Sequence, residues 1–211
     1  MAHDFGSLVF TPVVKALQEK YGSRRHYARM ESGGAAPDRL GPDETSFLSE
    51  RDSLYMATVG ANGWPYVQHR GGAPGFLKVI DEKTLAFADY RGNRQYLSVG
   101  NVAADGRCAL ILVDYPRRAR LKILAVAEVV RVPDRELARS VAMPEYKAVV
   151  ERVFRLRLQA FDWNCPQHIT PRFTAEQIKE ALAPFERRLE ELELENQKLR
   201  EAGQSKSQQV K

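Results

Sequence analysis

Basic side chains set among short apolar runs are the feature of this sequence with the clearest chemical meaning. Arg70, Lys78, Arg91 and Arg94 lie within residues 65–101, where the runs between them are rich in residues that favour β-strands. Arginine binds phosphate through two parallel hydrogen bonds from its planar guanidinium. Apolar neighbours on the same strands offer a wall for an aromatic ring. The segment therefore predicts a site for a phosphorylated planar ligand.

The elements that position these side chains are predicted to be strands followed by a short helix. Strands are expected near 53–59, 64–70, 75–80 and 84–89, and a helix over 93–100 with Asn93 as its N-cap. The free N–H groups and the dipole at a helix N-terminus favour an anion. Arg94 adds a positive charge at the same point, so the phosphate is expected there.

Turn residues predict that the strands pair as antiparallel hairpins. Asn62-Gly63 joins the first pair, Asp81 to Lys83 the second, and Tyr115-Pro116 lies between strands at 107–113 and 120–131. The other predicted elements are a last strand at 153–162 and helices at 12–22, 43–50 (with Asp43 as N-cap), 134–140 and 144–151. Strand and helix do not alternate as in a parallel sheet. The fold class is therefore mainly β with helices (α+β), built on a small antiparallel barrel.

The segment from Arg70 to Gln95 resembles the flavin-binding core of the pyridoxamine 5'-phosphate oxidase-like split barrels. In that family an arginine on one strand, a lysine on the next and an Arg-Lys pair after an F-Y-T-N-x-G-S turn hold FMN. The matching residues are Arg70, Lys78 and Arg94-Gln95, which follow the sequence FADYRGN. Gln95 replaces the lysine, and a GGAPG insertion separates Arg70 from Lys78. The resemblance covers residues 47–172 and implies an antiparallel split β-barrel of the FMN-binding type.

The resemblance also implies a set of cofactor contacts and a partner. Arg120 falls where the family has a glutamine that reaches the flavin. Trp163 and Arg172 match a tryptophan and an arginine of the family, and the tryptophan often contacts the flavin across a dimer interface. A homodimer is therefore expected, and no catalytic residue is assigned. The expected FMN contacts are Arg70, Lys78, Ala88, Asp89, Arg94, Gln95, Arg120, Trp163 and Arg172.

The function implied by the resemblance is that of an FMN-dependent oxidoreductase acting on a reduced nicotinamide or a small organic substrate. True pyridoxamine phosphate oxidases end in Arg-Leu-x-Pro and carry an Arg-x-His pair after the tryptophan, and the sequence beyond Trp163 contains neither motif. Pyridoxamine/pyridoxine 5'-phosphate oxidation is therefore the alternative. A non-catalytic flavin-binding carrier or sensor is another, because no residue is an evident general acid or base. Deazaflavin and haem are further ligands that relatives of this fold take.

Composition and charge bound the remaining classes of function. The 211 residues, 44% of them hydrophobic, can bury a full core as one domain with extensions. No apolar run approaches the length of a membrane span and no secretory signal is visible, so a cytoplasmic protein without a membrane partner is expected. The net charge of +5 raises nucleic acid as a partner. No nucleic-acid-binding motif accompanies the basic clusters, so no nucleic-acid partner is expected.

Metal binding and disulfide formation are not indicated by the sequence. The two cysteines, Cys108 and Cys165, make neither a disulfide framework nor a zinc site. Cys108 lies in the apolar run CALILV and is expected to be a buried thiol. No HExxH or comparable ligand spacing is present, so no metal is expected.

An amphipathic helix is predicted after the barrel. Thr174 and Gln177 form a capping box, and Pro184 is expected to kink or restart the helix. Asn196 occupies an a position of a heptad pattern, where asparagine tends to fix the register and favour two strands. We favour a short parallel dimer coil over a helix packed on its own barrel. The pattern consists of Ile178, Leu182, Phe185, Leu189, Leu192, Asn196 and Leu199.

These observations divide the chain into four segments. Residues 1–42 are an N-terminal helix and a linker, and residues 43–173 are the split-barrel domain. Residues 174–202 form the C-terminal helix, and residues 203–211 are expected to be a disordered tail.

Overall fold

The computed structural model describes residues 5–32, 39–131, 135–141, 143, 145–164 and 166–208. Its helices are α1 Phe5–Val9, α2 Pro12–Lys20, α3 Arg24–Ser32, α4 Pro42–Ser49, α5 Leu97–Ala104, α6 Arg135–Ser140 and α7 Ala175–Gln208. Its strands are β1 Ser53–Val59, β2 Pro65–Gly71, β3 Lys78–Asp81, β4 Thr84–Tyr90, β5 Arg107–Asp114, β6 Ala119–Arg131 and β7 Val150–Asn164. Cys165 lies outside the described residues.

The strands form one antiparallel sheet whose two edges do not meet. Their order is β2-β1-β5-β6-β7-β4-β3, with seven strands, and every neighbouring pair is antiparallel. No backbone pairing joins the edge strands β2 and β3 in the part of the chain that the structure describes. The predicted α+β class with an antiparallel split β-barrel is thus confirmed, as an open sheet.

The predicted hairpin turns account for three of the six strand pairs in the sheet. At the tip of the β1–β2 hairpin, Gly63 has a φ of +83° and the Trp64 N–H donates to Asn62 Oδ1 at 3.2 Å. This asparagine-glycine turn sets the register that places Leu54 opposite Arg70. The remaining hairpins add β4 to β3 and β6 to β5.

The core lies inside the curve of the sheet, and β4 is buried on both faces. Leu85 and Phe87 enter the main core, where Phe87 stacks on Phe154 with ring centroids 5.0 Å apart and planes 8° apart. Ala86 and Ala88 point to the opposite face and pack with Leu137, Val141 and Val153. Alternate residues of a strand face opposite sides of a sheet, so β4 separates two apolar clusters.

The structure moves the starts of two predicted helices. The helix expected at Asn93 begins at Leu97, because Arg94 and Tyr96 have φ values of +62° and +56°, outside the helical region. The helix expected from Asp43 begins at Pro42 with Gly41 as its N-cap. Proline suits a first helical position because it lacks the N–H that would be unsatisfied there.

Two further expectations along the chain differ from the structure. A helix over 144–151 was expected, whereas residues 145–149 are not helical and β7 begins at Val150. The Arg91 N–H donates to the Val149 carbonyl at 2.8 Å, so this segment extends the pairing between β4 and β7. Helix α3, Arg24–Ser32, runs into residues 31–42, the segment expected to be a linker, of which residues 33–38 lie outside the described residues.

Helix α7 belongs to a second compact unit, Thr170–Lys211, distinct from Met1–Ile169. Its predicted capping box is present: the Thr174 N–H donates to Gln177 Oε1 at 2.9 Å and the Gln177 N–H to Thr174 Oγ1 at 3.2 Å. The helix does not restart at Pro184, and it continues to Gln208 through most of the segment expected to be disordered. Among the described residues, no helix is both long and apolar enough to cross a membrane.

Candidate functional site

An open cleft lies where the edge strand β2 approaches β4 and β7 across the gap in the sheet. Its volume is about 410 Å³ when the open solvent at its mouth is included. Residues 92–99 form one wall. The strands contribute Tyr66, Gln68 and Arg70 from β2, Asp89 and Tyr90 from β4, and Glu151 and Arg152 from β7.

A buried carboxylate binds two arginines at the base of this cleft. Asp89 is only 4% exposed, and it accepts hydrogen bonds from Arg70 Nη1 at 2.7 Å and from Arg152 Nε at 2.9 Å. The β4–β7 register places Arg152 directly opposite Asp89, while Arg70 reaches across from the edge strand β2. This Asp89 cluster (Arg70, Asp89 and Arg152) therefore bridges the gap in the sheet with side chains.

Aromatic rings hold both guanidinium groups of the cluster in place. The Arg70 guanidinium lies 5.0 Å from the ring centre of Phe154, and that of Arg152 lies 4.7 Å from the ring centre of Tyr96. Arg70 Nε is buried and has no hydrogen-bond partner within the described residues. Arg70 thus lines the cleft with one donor that is both unsatisfied and shielded from solvent.

Arg152 is also bound by a second carboxylate. Its Nη2 lies 2.7 Å from Glu151 Oε2, and Glu151 Oε1 accepts from Arg91 Nε at 3.0 Å. Burial lowers the pKa of Arg152, but the hydrogen bond to Asp89 and the charges of Asp89 and Glu151 more than offset this and raise it. Arg152 is therefore a permanent cation beside the cleft.

Arg94 is the basic residue of the cleft that remains exposed. Its backbone lies in the left-handed region, and its Nε donates to the Tyr96 hydroxyl at 3.3 Å, which raises the pKa of the Arg94 side chain. No carboxylate forms an ion pair with Arg94 among the described residues. Three guanidinium groups and two carboxylates line the cleft, so its formal charge is +1. The arrangement suits an anion.

Helix α5 is held against the cleft by two partly buried hydrogen bonds. Ser98 donates to Gln68 Oε1 at 2.7 Å, and Asn101 Nδ2 donates to Thr58 Oγ1 at 3.0 Å. Ser98 lines the cleft, whereas Asn101 is directed to strand β1. These bonds fix the first turn of α5, and with it Leu97 and Val99, at one wall.

The structure brings together four of the residues expected to bind FMN, and Arg152 joins them. Arg70, Asp89, Arg94 and Gln95 line the cleft. Sequence reasoning missed Arg152, although a pattern in β7 indicates it. Phe154, Leu156 and Leu158 alternate as the inward residues of this strand. Arg152 occupies the next inward position, where an arginine implies a buried partner.

Two of the expected contacts lie on the other face of β4. Lys78 is directly opposite Ala86 in the β3–β4 pair, so its side chain starts on the face that carries Ala86. Ala88 packs in the small apolar cluster on that same face. Asp89 and the cleft occupy the opposite face. The side chains of Lys78 and Ala88 are therefore not part of the cleft lining.

Two more expected contacts lie at the far end of β7. Trp163 Nε1 donates to Glu44 Oε1 at 2.7 Å, and its ring meets Phe47 edge-on with centroids 4.8 Å apart. Arg120 pairs with the adjacent Asn164, and its Nε is buried without a hydrogen-bond partner within the described residues. Arg172 belongs to the second unit, Thr170–Lys211.

Comparison with known proteins assigns the fold to a family. The sequence profile of the family described as pyridoxamine 5'-phosphate oxidase matches residues 42–165. No curated protein matches the chain significantly. Several solved structures are similar to this chain. A Lactobacillus delbrueckii protein whose name refers to pyridoxamine 5'-phosphate oxidase is 23% identical, with 60% of this chain and 96% of the other covered at a TM-score of 0.47.

Two further solved structures have lower sequence identity. HupZ of group A Streptococcus is 16% identical, with 64% of this chain and 100% of the other covered at a TM-score of 0.46. HutZ, a heme storage protein of Vibrio cholerae, is 18% identical, with 59% of this chain and 94% of the other covered at a TM-score of 0.41.

Proposed function

Because this chain belongs to the pyridoxamine 5'-phosphate oxidase family, we propose that it binds FMN in the cleft and acts as a flavin-dependent oxidoreductase. Its substrate is a reduced nicotinamide or another small organic molecule. The observation that supports this best is Arg94, an exposed guanidinium at the cleft wall with no ion pair among the described residues. FMN supplies the hydride and electron chemistry when bound.

The residues around Arg94 fit the phosphate end of such a cofactor. Arg94 offers a bidentate donor, and Gln95 follows it in the same wall. Arg70 adds a second cation at the base of the cleft, where Asp89 fixes its guanidinium. The protein's part in the reaction is to bind and orient the cofactor with preformed charges.

A second copy of the chain would be needed to enclose the flavin ring. Trp163 follows Arg152 by eleven residues on β7, roughly 35 Å along a strand that rises about 3.3 Å per residue. Trp163 and Arg120 therefore lie far from the cleft of their own chain. If they contact FMN, as the family resemblance implies, they do so in the cleft of the partner in a homodimer.

A flavin-binding carrier or sensor is the second candidate function. Both carboxylates that line the cleft are held by arginines, Asp89 by Arg70 and Arg152, and Glu151 by Arg91 and Arg152. Neither is free to act as a general base. Oxidation of NADH, NADPH or pyridoxamine 5'-phosphate faster than with free FMN would support an enzyme. The absence of turnover across that panel would support the carrier.

The first experiment is the visible spectrum of the purified protein and the mass of the ligand released by heat. We expect a two-banded flavin spectrum and the mass of FMN. A haem or deazaflavin spectrum, or a colourless protein that fails to bind added FMN, would contradict the proposal.

Replacing Arg94 tests the position of the phosphate. Arg94→Ala should weaken FMN binding by about 1.5–3 kcal/mol, or about 10- to 150-fold in Kd, the cost of losing a charged hydrogen bond. Arg118→Ala is the matched control, because Arg118 is also exposed and has a φ of +52°, but it lies in the β5–β6 turn. Equal FMN affinity of the two variants would remove Arg94 from the site.

A further inference from the structure

Helix α7 exposes a continuous apolar seam. Six large apolar side chains of this helix are between 44% and 72% exposed. With Asn196 they occupy successive d and a positions of a heptad repeat. The members of this seam are Ile178, Leu182, Phe185, Leu189, Leu192, Asn196 and Leu199.

We propose that the seam packs against the same seam of a second copy, as a parallel, in-register, two-stranded coiled coil. This inference is independent of FMN binding. A seam of this kind on one helix leaves a stripe of large apolar side chains in water, and an identical helix covers that stripe residue for residue. Two observations on α7 favour one orientation and register of the pair, and a third concerns the features of the helix that could oppose it.

The first observation is the position of Asn196. It lies at a, and a parallel in-register pair sets it against Asn196 of the second copy, where the two amides bond to each other. An antiparallel pair sets every a position against a d position. The d positions are all apolar, so Asn196 would be buried there without a partner. They are Ile178, Phe185, Leu192 and Leu199.

The second observation is the charge pattern beside the seam. In a parallel coil a g residue faces the e residue five positions later on the other helix. This sets Arg188 against Glu193 and Glu195 against Arg200 of the second copy, and symmetry doubles both pairs. A slip of one heptad would bring Arg188 against Arg200. The charges therefore favour the in-register pair.

The third observation is that competing features of the helix lie off the seam. Pro184 falls at c, so the carbonyl that it leaves without a donor is not directed at the second helix. Arg188 Nη1 lies 2.9 Å from Glu191 Oε2, but both side chains are more than 60% exposed, so this pair is weak enough to exchange for Glu193. Neither feature opposes the coil.

Cysteine cross-linking of the full chain tests the arrangement. In a Cys165→Ser background, Leu192→Cys places a thiol at d, where two copies meet only in a parallel, in-register pair. Leu194→Cys is the matched control, since Leu194 lies at f, off the seam, and has similar exposure. Cys108 is buried and its pKa is raised to about 12, so it does not compete. Diamide oxidises the thiols, and non-reducing gels measure the dimer.

We expect Leu192→Cys to form a disulfide dimer at least tenfold faster than Leu194→Cys. Equal rates would overturn the coil. A Leu192→Cys chain that links faster to a Leu189→Cys chain than to itself would overturn the parallel orientation, because antiparallel pairing sets d against a. Far-UV circular dichroism of each variant shows that the fold is retained.

Charge reversal tests the register within the same Leu192→Cys chain. Glu193→Arg sets two arginines against each other across the coil, so we expect cross-linking to slow several-fold. Adding Arg188→Glu restores the opposite charges and should restore the rate. A double variant that stays as slow as the single one would refute the pairing of Arg188 with Glu193.

Discussion

The Asp89 cluster makes a sharp prediction, because one carboxylate holds two guanidinium groups across the gap in the sheet. Asp89→Asn keeps the shape of the side chain and removes its charge. The Arg70 and Arg152 side chains are 14% and 20% exposed, so both cations would remain largely desolvated with no carboxylate between them. The stability of the fold should therefore fall sharply.

The size of this effect follows from the burial of the cluster. Removing one partner of a buried ion pair costs about 3–5 kcal/mol, because the remaining charge is left uncompensated. The cleft admits solvent and Glu151 still pairs with Arg152, so the lower end is expected, about 3 kcal/mol in the free energy of unfolding.

Urea denaturation followed by circular dichroism at pH 7 measures this change. The matched control is Glu128→Gln, which breaks the pair between Glu128 and Arg155 on β6 and β7. That pair also joins residues directly opposite each other on neighbouring strands, but it is exposed, so about 0–1 kcal/mol is expected. Similar losses below about 1 kcal/mol for Asp89→Asn and the control would refute the reasoning that burial gives the Asp89 cluster its strength.

Two further predictions concern single buried positions. Burial raises the pKa of the Cys108 thiol from 9.0 to about 12, so in a Cys165→Ser chain it should react with a thiol reagent only after unfolding. Its contribution to stability is full below pH 9 and should decline by up to about 1.4 kcal/mol per pH unit towards pH 12, a slope that Cys108→Ala removes. Gly75→Ala should destabilise the protein by about 2 kcal/mol or more, because its φ is +75° and the new Cβ would lie 2.9 Å from the Ser49 carbonyl oxygen. Gly22→Ala is the control, because Gly22 has a φ of +78° and an added Cβ there meets nothing within 4 Å, so its loss of stability measures the backbone strain alone. Equal losses of stability in the two variants would show that the contact with Ser49 costs nothing.

The sequence predicted the strands well because their signals are local. Alternating burial in β1 and β5 and the Asn62-Gly63 turn specify hairpins with little help from the rest of the chain. Helix α5 was predicted to begin too early because Asn93 resembles an N-cap. Its side chain instead accepts from the Gln95 N–H and closes a turn before the helix. Local patterns do not show the left-handed φ of Tyr96, which postpones the helix start.

The candidate site was predicted only in part because its geometry depends on pairing between distant strands. The register that sets Lys78 opposite Ala86 decides which face of β4 the lysine occupies. The register that sets Asp89 opposite Arg152 brings an unexpected arginine into the cleft. Neither register is encoded in a short segment. Motif spacing therefore located the loop of Arg94, but it could not separate Lys78 from the cleft.

The gap in the sheet explains why the cleft is charged. No backbone hydrogen bond joins the edge strand β2 to β4 among the described residues, so side chains connect the two sides of the gap. Apolar residues of similar volume usually stabilise such a place as well as a buried ion pair or better. Arg70, Asp89 and Arg152 are thus a costly way to bridge β2 and β4 if stability is their only role. The free-energy cost of burying these charges is understandable if the fixed cations bind an anion. The gap that weakens the sheet is then the feature that makes the site.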